Sequence, residues 1–197
     1  MGGTTPAARC VEFYETVLTF DNRPDLDRPN GVWDLGSAEA AEFAKLAGTT
    51  YRDVNIALAN EFARFAEKTG VDIGKVIDAS NSQPYSHILR PGIWVGGHCI
   101  PVYPRFYTSV DVDATLPVTA REVNTAVPDR VVARLGAIMD GLKGKRIVVL
   151  GATYRGGVME TAVSGVFPVV DALCSAGAHP LVHDPLYSDE EISGMGF

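Results

Sequence analysis

Cysteine and histidine are scarce in this chain of 197 residues: there are three cysteines, Cys10, Cys99 and Cys174, and four histidines. An odd, widely spaced set without a CxxC pair implies no disulfide framework. His87, His98 and Cys99 lack a fourth ligand at sensible spacing, so no metal site is expected. Basic residues are in deficit, 17 Lys+Arg against 24 Asp+Glu for a net charge of −7. That balance argues against a nucleic-acid partner, because phosphate affinity comes from clustered cations. Long apolar runs are missing too. The richest stretches, Arg146 to Leu150 and Ala162 to Ala176, fall short of the roughly 18–20 residues that a bilayer crossing needs, so no membrane association is expected. Met1 to Ala8 has neither a basic nor an apolar leader segment, and a cytoplasmic location is the expectation.

What is present is a globular composition, 46% hydrophobic with 21% charged residues, which predicts a packed protein. An entry helix is plausible from Ala7 to Leu18, followed by the charged loop Asp21 to Arg28. From Ser37, a good N-cap, the residues Phe43, Leu46, Ala47, Tyr51, Val54, Leu58, Phe62 and Phe65 recur at helical spacing. A helix over 38–69 closed by Gly70 follows; it would be on the order of 45 Å long, more than a small globule needs, and points to a second layer or a dimer partner. Gly48 inside it implies close packing or a site. Asp72 can cap a short helix to Ala79. The Pro/Gly-rich stretch 81–106 reads as a long loop, which in a compact domain is usually functional. Helical spacing returns over Val118 to Ala126, and Pro128 fits the first turn of a helix to about Leu142. Arg146 to Leu150, a Gly-rich turn, Val163 to Ala176 and Pro180 to His183 then read as one βαβ unit of a doubly wound sheet. The expected fold is a mainly α domain over residues 1–142 built on the long helix, followed by a partial Rossmann-like α/β unit over 143–197. An incomplete sheet of this kind exposes strand edges and an apolar face.

The residues that could carry chemistry centre on Gly96, Gly97, His98, Cys99, Ile100 and Pro101. Two glycines allow a ligand close to the backbone, and a thiolate activated by a nearby cation or helix N-terminus is a nucleophile. Composition alone favours Cys99 as a small buried hydrophobe. Lys45 shares a helix face with Thr49 and Arg52, and by itself reads as a solvated surface charge. The turn Gly151 to Gly157, GATYRGG, matches neither GxGxxG nor GxxxxGK[ST]; as a phosphate cradle it is suggestive without being specific.

KLAGTTYRDVNIALANEFARFAEKTGVDI (45–73), ILRPGIWVGGHCIPVYPRFY (88–107), AREVNTAVP (120–128) and KRIVVLGATYR (145–155) together resemble the nucleotide-sugar 6-dehydrogenases. The UDP-N-acetyl-mannosamine or UDP-N-acetyl-glucosamine branch is most similar, related to UDP-glucose dehydrogenase. The resemblance implies a two-NAD oxidation of a sugar C6 alcohol to the carboxylate through a cysteine thiohemiacetal and thioester. It places Cys99 on the nucleophile and Lys45 on the lysine that stabilises oxyanions. It also implies a helical dimerisation domain on the long helix, making a homodimer, and a C-terminal domain that helps to hold UDP. Gly96, Gly97, His98, Tyr154 and Arg155 fall on the nucleotide-sugar side of the site. On this alignment Gly2 lies just after the family's N-terminal NAD-binding domain and Phe197 within the C-terminal one, so this chain alone is expected to bind no NAD.

Several positions depart from the family pattern. Thr49 stands where the family has an asparagine and offers a hydroxyl in place of a two-headed amide. Tyr103 stands where it has an aspartate, and a phenol with a pKa near 10 does not replace a carboxylate base at neutral pH. Trp94 replaces a loop glycine and must fill the nucleotide pocket or stack on a base. Tyr85 and His87 take the places of an arginine and an asparagine, and the DxRES pattern is reduced to Glu160 to Ser164. Three readings follow: a divergent UDP-sugar dehydrogenase unable to run the full oxidation alone, a cofactor-independent Cys/Lys enzyme with a re-tooled pocket for a nucleotide or related small molecule, or a non-catalytic dimeric binding protein.

Overall fold

The structure is a computed structural model and describes residues 5–197; the leader reading of Met1 to Ala8 therefore falls partly outside the described residues. The chain divides into two compact units, one ending at Lys45 and one running from Leu46 to Phe197.

In the first unit, helix α1 (Pro6–Val17) begins where sequence rules place it: Pro6 lies in the first turn and the Thr5 hydroxyl accepts the Ala8 N–H at 3.2 Å. It buries none of its residues. In the loop that follows, the Arg28 guanidinium stacks 4.5 Å from the Trp33 ring centroid.

Helix α2 (Ala38–Thr69) has the span expected from its periodicity, with the Ser37 hydroxyl accepting the Ala40 N–H at its start and Gly70 at φ +71° at its end. Which face is buried is less expected. Tyr51, Leu58, Phe62 and Phe65, the apolar stripe, remain exposed, while Thr49, Asp53, Ala57 and Asn60 on the opposite side are buried. The face turned into the fold is therefore small and polar, and it packs through hydrogen bonds where a stripe of large side chains would pack by area. A Cβ at Gly48 would meet nothing within 4 Å, so no close packing explains that glycine in the chain by itself.

Asp72 caps α3 (Ile73–Asn81) by accepting from the Gly74 and Lys75 amides. The expected loop over 81–106 ends early, because α4 (Tyr103–Val110) starts inside it. The Cys99 carbonyl accepts the Val102 and Tyr103 amides and opens this helix, and Pro104 sits in its first turn, the one helical position that tolerates proline. Helices α5 (Thr115–Thr125) and α6 (Val127–Ile138) follow.

The α/β unit consists of β1 (Arg146–Leu150), α7 (Val166–Ser175) and β2 (His179–His183), with the strands parallel and Arg146 opposite His179. A short α8 (Asp189–Gly194) opens on a capping box between Ser188 and Glu191. The main hydrophobic core lies on one face of this small sheet. Val132 from α6, Val169, Ala172 and Leu173 from α7, and Leu142 and Ala178 pack against Ile147 and Val149 of β1. The strands alternate, so Val148, Leu150 and Leu181 point to the other face and are exposed. Among the described residues, no helix is long and apolar enough to cross a membrane.

Candidate functional site

The loop from Ser82 to Val102 lacks regular structure, yet side chains of the helices hold it at several points. The Asn55 amide on α2 accepts the Leu89 N–H at 2.9 Å and donates to the His87 carbonyl at 2.7 Å. Asn81 at the end of α3 brackets Ile88 in the same way, at 2.9 Å on each side. Arg90 donates to the Gly74 carbonyl and pairs with Asp78. Asn60, buried on α2, accepts the Gly92 N–H at 3.0 Å.

Beyond Gly92 the loop turns to the α/β unit. The Trp94 indole N–H donates to the Val163 carbonyl at 3.0 Å, and its Cβ lies 2.6 Å from where a Cβ on Gly165 would be. Gly96 and Gly97, read from sequence as room for a ligand, face a side chain: a Cβ on Gly96 would be 2.9 Å from both Tyr154 Cβ and the Val163 carbonyl. One on Gly97, at φ +87°, would be 3.1 Å from the Tyr154 ring. The absent side chains thus make space for Tyr154. Trp94, Gly96 and Tyr154 line one cavity of about 280 Å³ with Gly151, Thr153 and Ser164. His98 follows, exposed, with Nε2 3.7 Å from Glu160 Oε2. The Ala162 backbone N–H is the chief cause that holds the Glu160 carboxyl below its usual range; His98 adds to it. Cys99 is half-buried at the end of this stretch, and Cys10 and Cys174 are exposed.

The other expected site residues are more dispersed. Tyr103 is the first residue of α4, its ring 5.9 Å from that of Phe106. Thr49 is buried, with its hydroxyl on the Leu46 carbonyl at 3.0 Å. Lys45 is an exposed residue of α2 and closes the first unit. Tyr85 is 91% exposed, His87 is held by its carbonyl alone among the contacts described above, and Arg155 is exposed.

Beneath the loop lies a buried polar group that the sequence reading did not single out. Asp53, fully buried, faces Arg121 Nε at 2.7 Å and accepts from Asn124 at 2.8 Å. Asn124 in turn accepts from Asn60 at 3.0 Å. Burial pushes the Asp53 carboxyl above its usual range, against the opposing pull of Arg121 and Asn124. The signal was there: Asp53 and Asn60 sit two turns apart, on the side opposite the apolar stripe.

Asp184, after β2, is the other missed position. Its carboxylate accepts the Ala152 N–H at 2.8 Å, the Thr153 N–H at 3.4 Å and the Leu186 N–H at 2.9 Å. Burial opposes its charge, but the Leu186, Ala152 and Thr153 amides outweigh burial and hold it below the usual carboxylate range. Two amides of the 151–157 turn, those of Ala152 and Thr153, are thus occupied by an anion of the chain itself. Among the described residues, no cluster of three or more His, Cys, Asp or Glu side chains could hold a metal ion.

The fold and this loop define a class, and comparison with known proteins agrees. Residues 39–126 are a central domain of the UDP-glucose/GDP-mannose dehydrogenase family, whose sequence profile they match. Over 183 residues the chain is 39% identical to UDP-N-acetyl-D-mannosamine dehydrogenase of Methanocaldococcus jannaschii, covering 93% of this chain and 40% of that protein. It is 36% identical over 174 residues to NDP-N-acetyl-D-galactosaminuronic acid dehydrogenase of Ralstonia nicotianae, covering 88% and 39%. Among solved structures, a UDP-glucose dehydrogenase from Pyrobaculum islandicum superposes with a TM-score of 0.76 at 27% identity, covering 91% of this chain and 40% of that one. The UDP-D-ManNAc dehydrogenase from Pyrococcus horikoshii gives 0.69 at 31% identity, covering 79% and 40%. The chain spans about 40% of the length of these relatives.

Proposed function

We propose that this chain supplies the thiol and nucleotide-sugar portion of a UDP-sugar 6-dehydrogenase site, with Cys99 as nucleophile. The observation that carries the reading is the GGHC loop, anchored to α2 and wedged against Tyr154, with Trp94 and Tyr154 lining a cavity beside it. Aromatic walls of this kind suit a nucleobase or sugar ring. The thiolate would add to a C6 aldehyde carbon: a C–S bond forms and the carbonyl π pair moves to oxygen. The resemblance assigns stabilisation of that oxyanion to Lys45. A thioester would follow only on loss of the C6 hydride, a two-electron oxidation; water attacking its carbon would then break the C–S bond, releasing the carboxylate and a proton and returning the thiolate. In the family the hydride acceptor is NAD. On this reading residues 1–142 carry the thiol and 143–197 the nucleotide, and the exposed stripe Tyr51, Leu58, Phe62 and Phe65 is covered by a second copy.

The test is alkylation of the three cysteines by iodoacetamide, followed by mass spectrometry, with and without UDP-N-acetyl-mannosamine. The reading expects Cys99 to be shielded by the sugar nucleotide while Cys10 and Cys174 are unaffected. Equal alkylation of Cys99 at saturating sugar nucleotide rules it out. Tyr103, in place of a carboxylate, favours a second reading in which a nucleotide substrate is turned over without redox chemistry. Product formation from UDP-N-acetyl-mannosamine in the absence of NAD would establish that alternative.

A further inference from the structure

The anchoring of the Cys99 loop has a direction. Asp53, ionised against Arg121, is only an acceptor, so Asn124 must turn its NH2 toward it; that amide donates both to Asp53 Oδ1 and to the Asp53 carbonyl, at 2.8 and 3.0 Å. The Asn124 carbonyl oxygen is then left facing Asn60, which must present its own NH2. The Asn60 oxygen in consequence faces the loop, where it accepts the Gly92 N–H. One buried charge therefore sets the polarity of a chain of two amides that ends on the backbone of the loop. All three side chains are essentially buried, Asp53 at 0%, Asn124 at 1% and Asn60 at 2% exposure, so water offers no competing partners. Asn55, one turn earlier on α2 than Asn60 and only half-buried, fixes the loop a second time at His87 and Leu89.

We infer that Asn55 and Asn60, with Asn60 oriented by Asn124 and Asp53, are positioning residues for Cys99: they set the register in which the loop runs from α2 to the Tyr154 wedge. Gly92 is the last point held by α2 before Trp94, Gly96 and Gly97 engage the α/β unit. A loop released at Gly92 or Leu89 keeps its far anchor and loses its near one. The inference rests on Cys99 being the reacting thiol, as proposed above.

The experiment uses the full chain and three forms: unaltered, Asn55→Ala and Asn60→Ala. It reads melting temperature, amide hydrogen exchange over 87–92, and the pH–rate profile of iodoacetamide alkylation at each cysteine. In Asn55→Ala the Leu89 amide is expected to exchange about 3- to 10-fold faster, the loss of one hydrogen bond. The Cys99 alkylation profile changes, those of Cys10 and Cys174 do not, and the melting temperature holds. Asn60→Ala repeats the pattern at Gly92; if it does not fold, the half-buried Asn55 variant decides alone. A Cys99 profile unchanged in folded Asn55→Ala, or a Leu89 amide that exchanges no faster, overturns the inference. Shielding of Cys99 by UDP-N-acetyl-mannosamine in the unaltered chain is read separately. Its absence removes the proposed function without touching the loop result.

Discussion

Gly96→Ala distinguishes the two uses of a glycine in the GGHC motif. If the glycine makes room for a ligand, alanine leaves the free protein as stable as before and weakens binding. If it makes room for Tyr154, alanine destabilises the protein with no ligand present. The added Cβ would lie 2.9 Å from Tyr154 Cβ and 2.9 Å from the Val163 carbonyl oxygen. Neither is the far end of a flexible side chain, so the strain is relieved only by moving backbone. Overpacking of this sort costs about 1–3 kcal/mol. For a unit the size of Leu46–Phe197, that lowers the melting temperature by about 2–4 °C per kcal/mol. The assay is ligand-free thermal or urea unfolding followed by circular dichroism. Tyr154→Ala should give no rescue, because it keeps the Cβ that clashes. Gly96→Ala with an unchanged midpoint would refute the wedge and return Gly96 to the ligand.

Asp53→Asn leaves Arg121, whose side chain is 16% exposed, without its counter-charge, and should cost about 3 kcal/mol, the low end for a broken buried pair; urea unfolding of this variant and of Asp53→Asn/Arg121→Met checks it, the double variant recovering part of the loss. Asp184→Asn should remove part of the acid sensitivity. The folded Asp184 carboxyl is held below the usual carboxylate range, so its contribution is present above the unfolded value and is lost as pH falls through the folded one. Urea midpoints followed downward from neutral pH should differ at first and converge for the two proteins once the pH has fallen through the folded Asp184 titration. If a second copy covers the stripe as proposed, Phe62→Glu with Phe65→Glu should lower the sedimentation coefficient to that of a monomer without lowering helix content, because both side chains are exposed in the chain by itself.

The elements were legible because their signals are local. The 38–69 helix, β1 and the Asp72 cap follow from spacing and capping chemistry within a few residues. Helix α4 was not, since a stretch dense in proline and glycine reads as loop although Pro104 occupies the first turn of a helix. The family resemblance was legible in the motif around Cys99. Which face of α2 turns inward was decided by partners far along the chain. Asp53 meets Asn124 at a separation of 71 residues, Asn60 meets Asn124 at 64, and Trp94 meets Val163 at 69. Periodicity shows that a helix has two faces, and a polar face can be the buried one when another helix brings it an arginine and an amide. In the same way Gly96 and Gly97 mark a close approach in the sequence. Only the folded chain, by bringing residue 154 onto residue 96, determines that a tyrosine makes it.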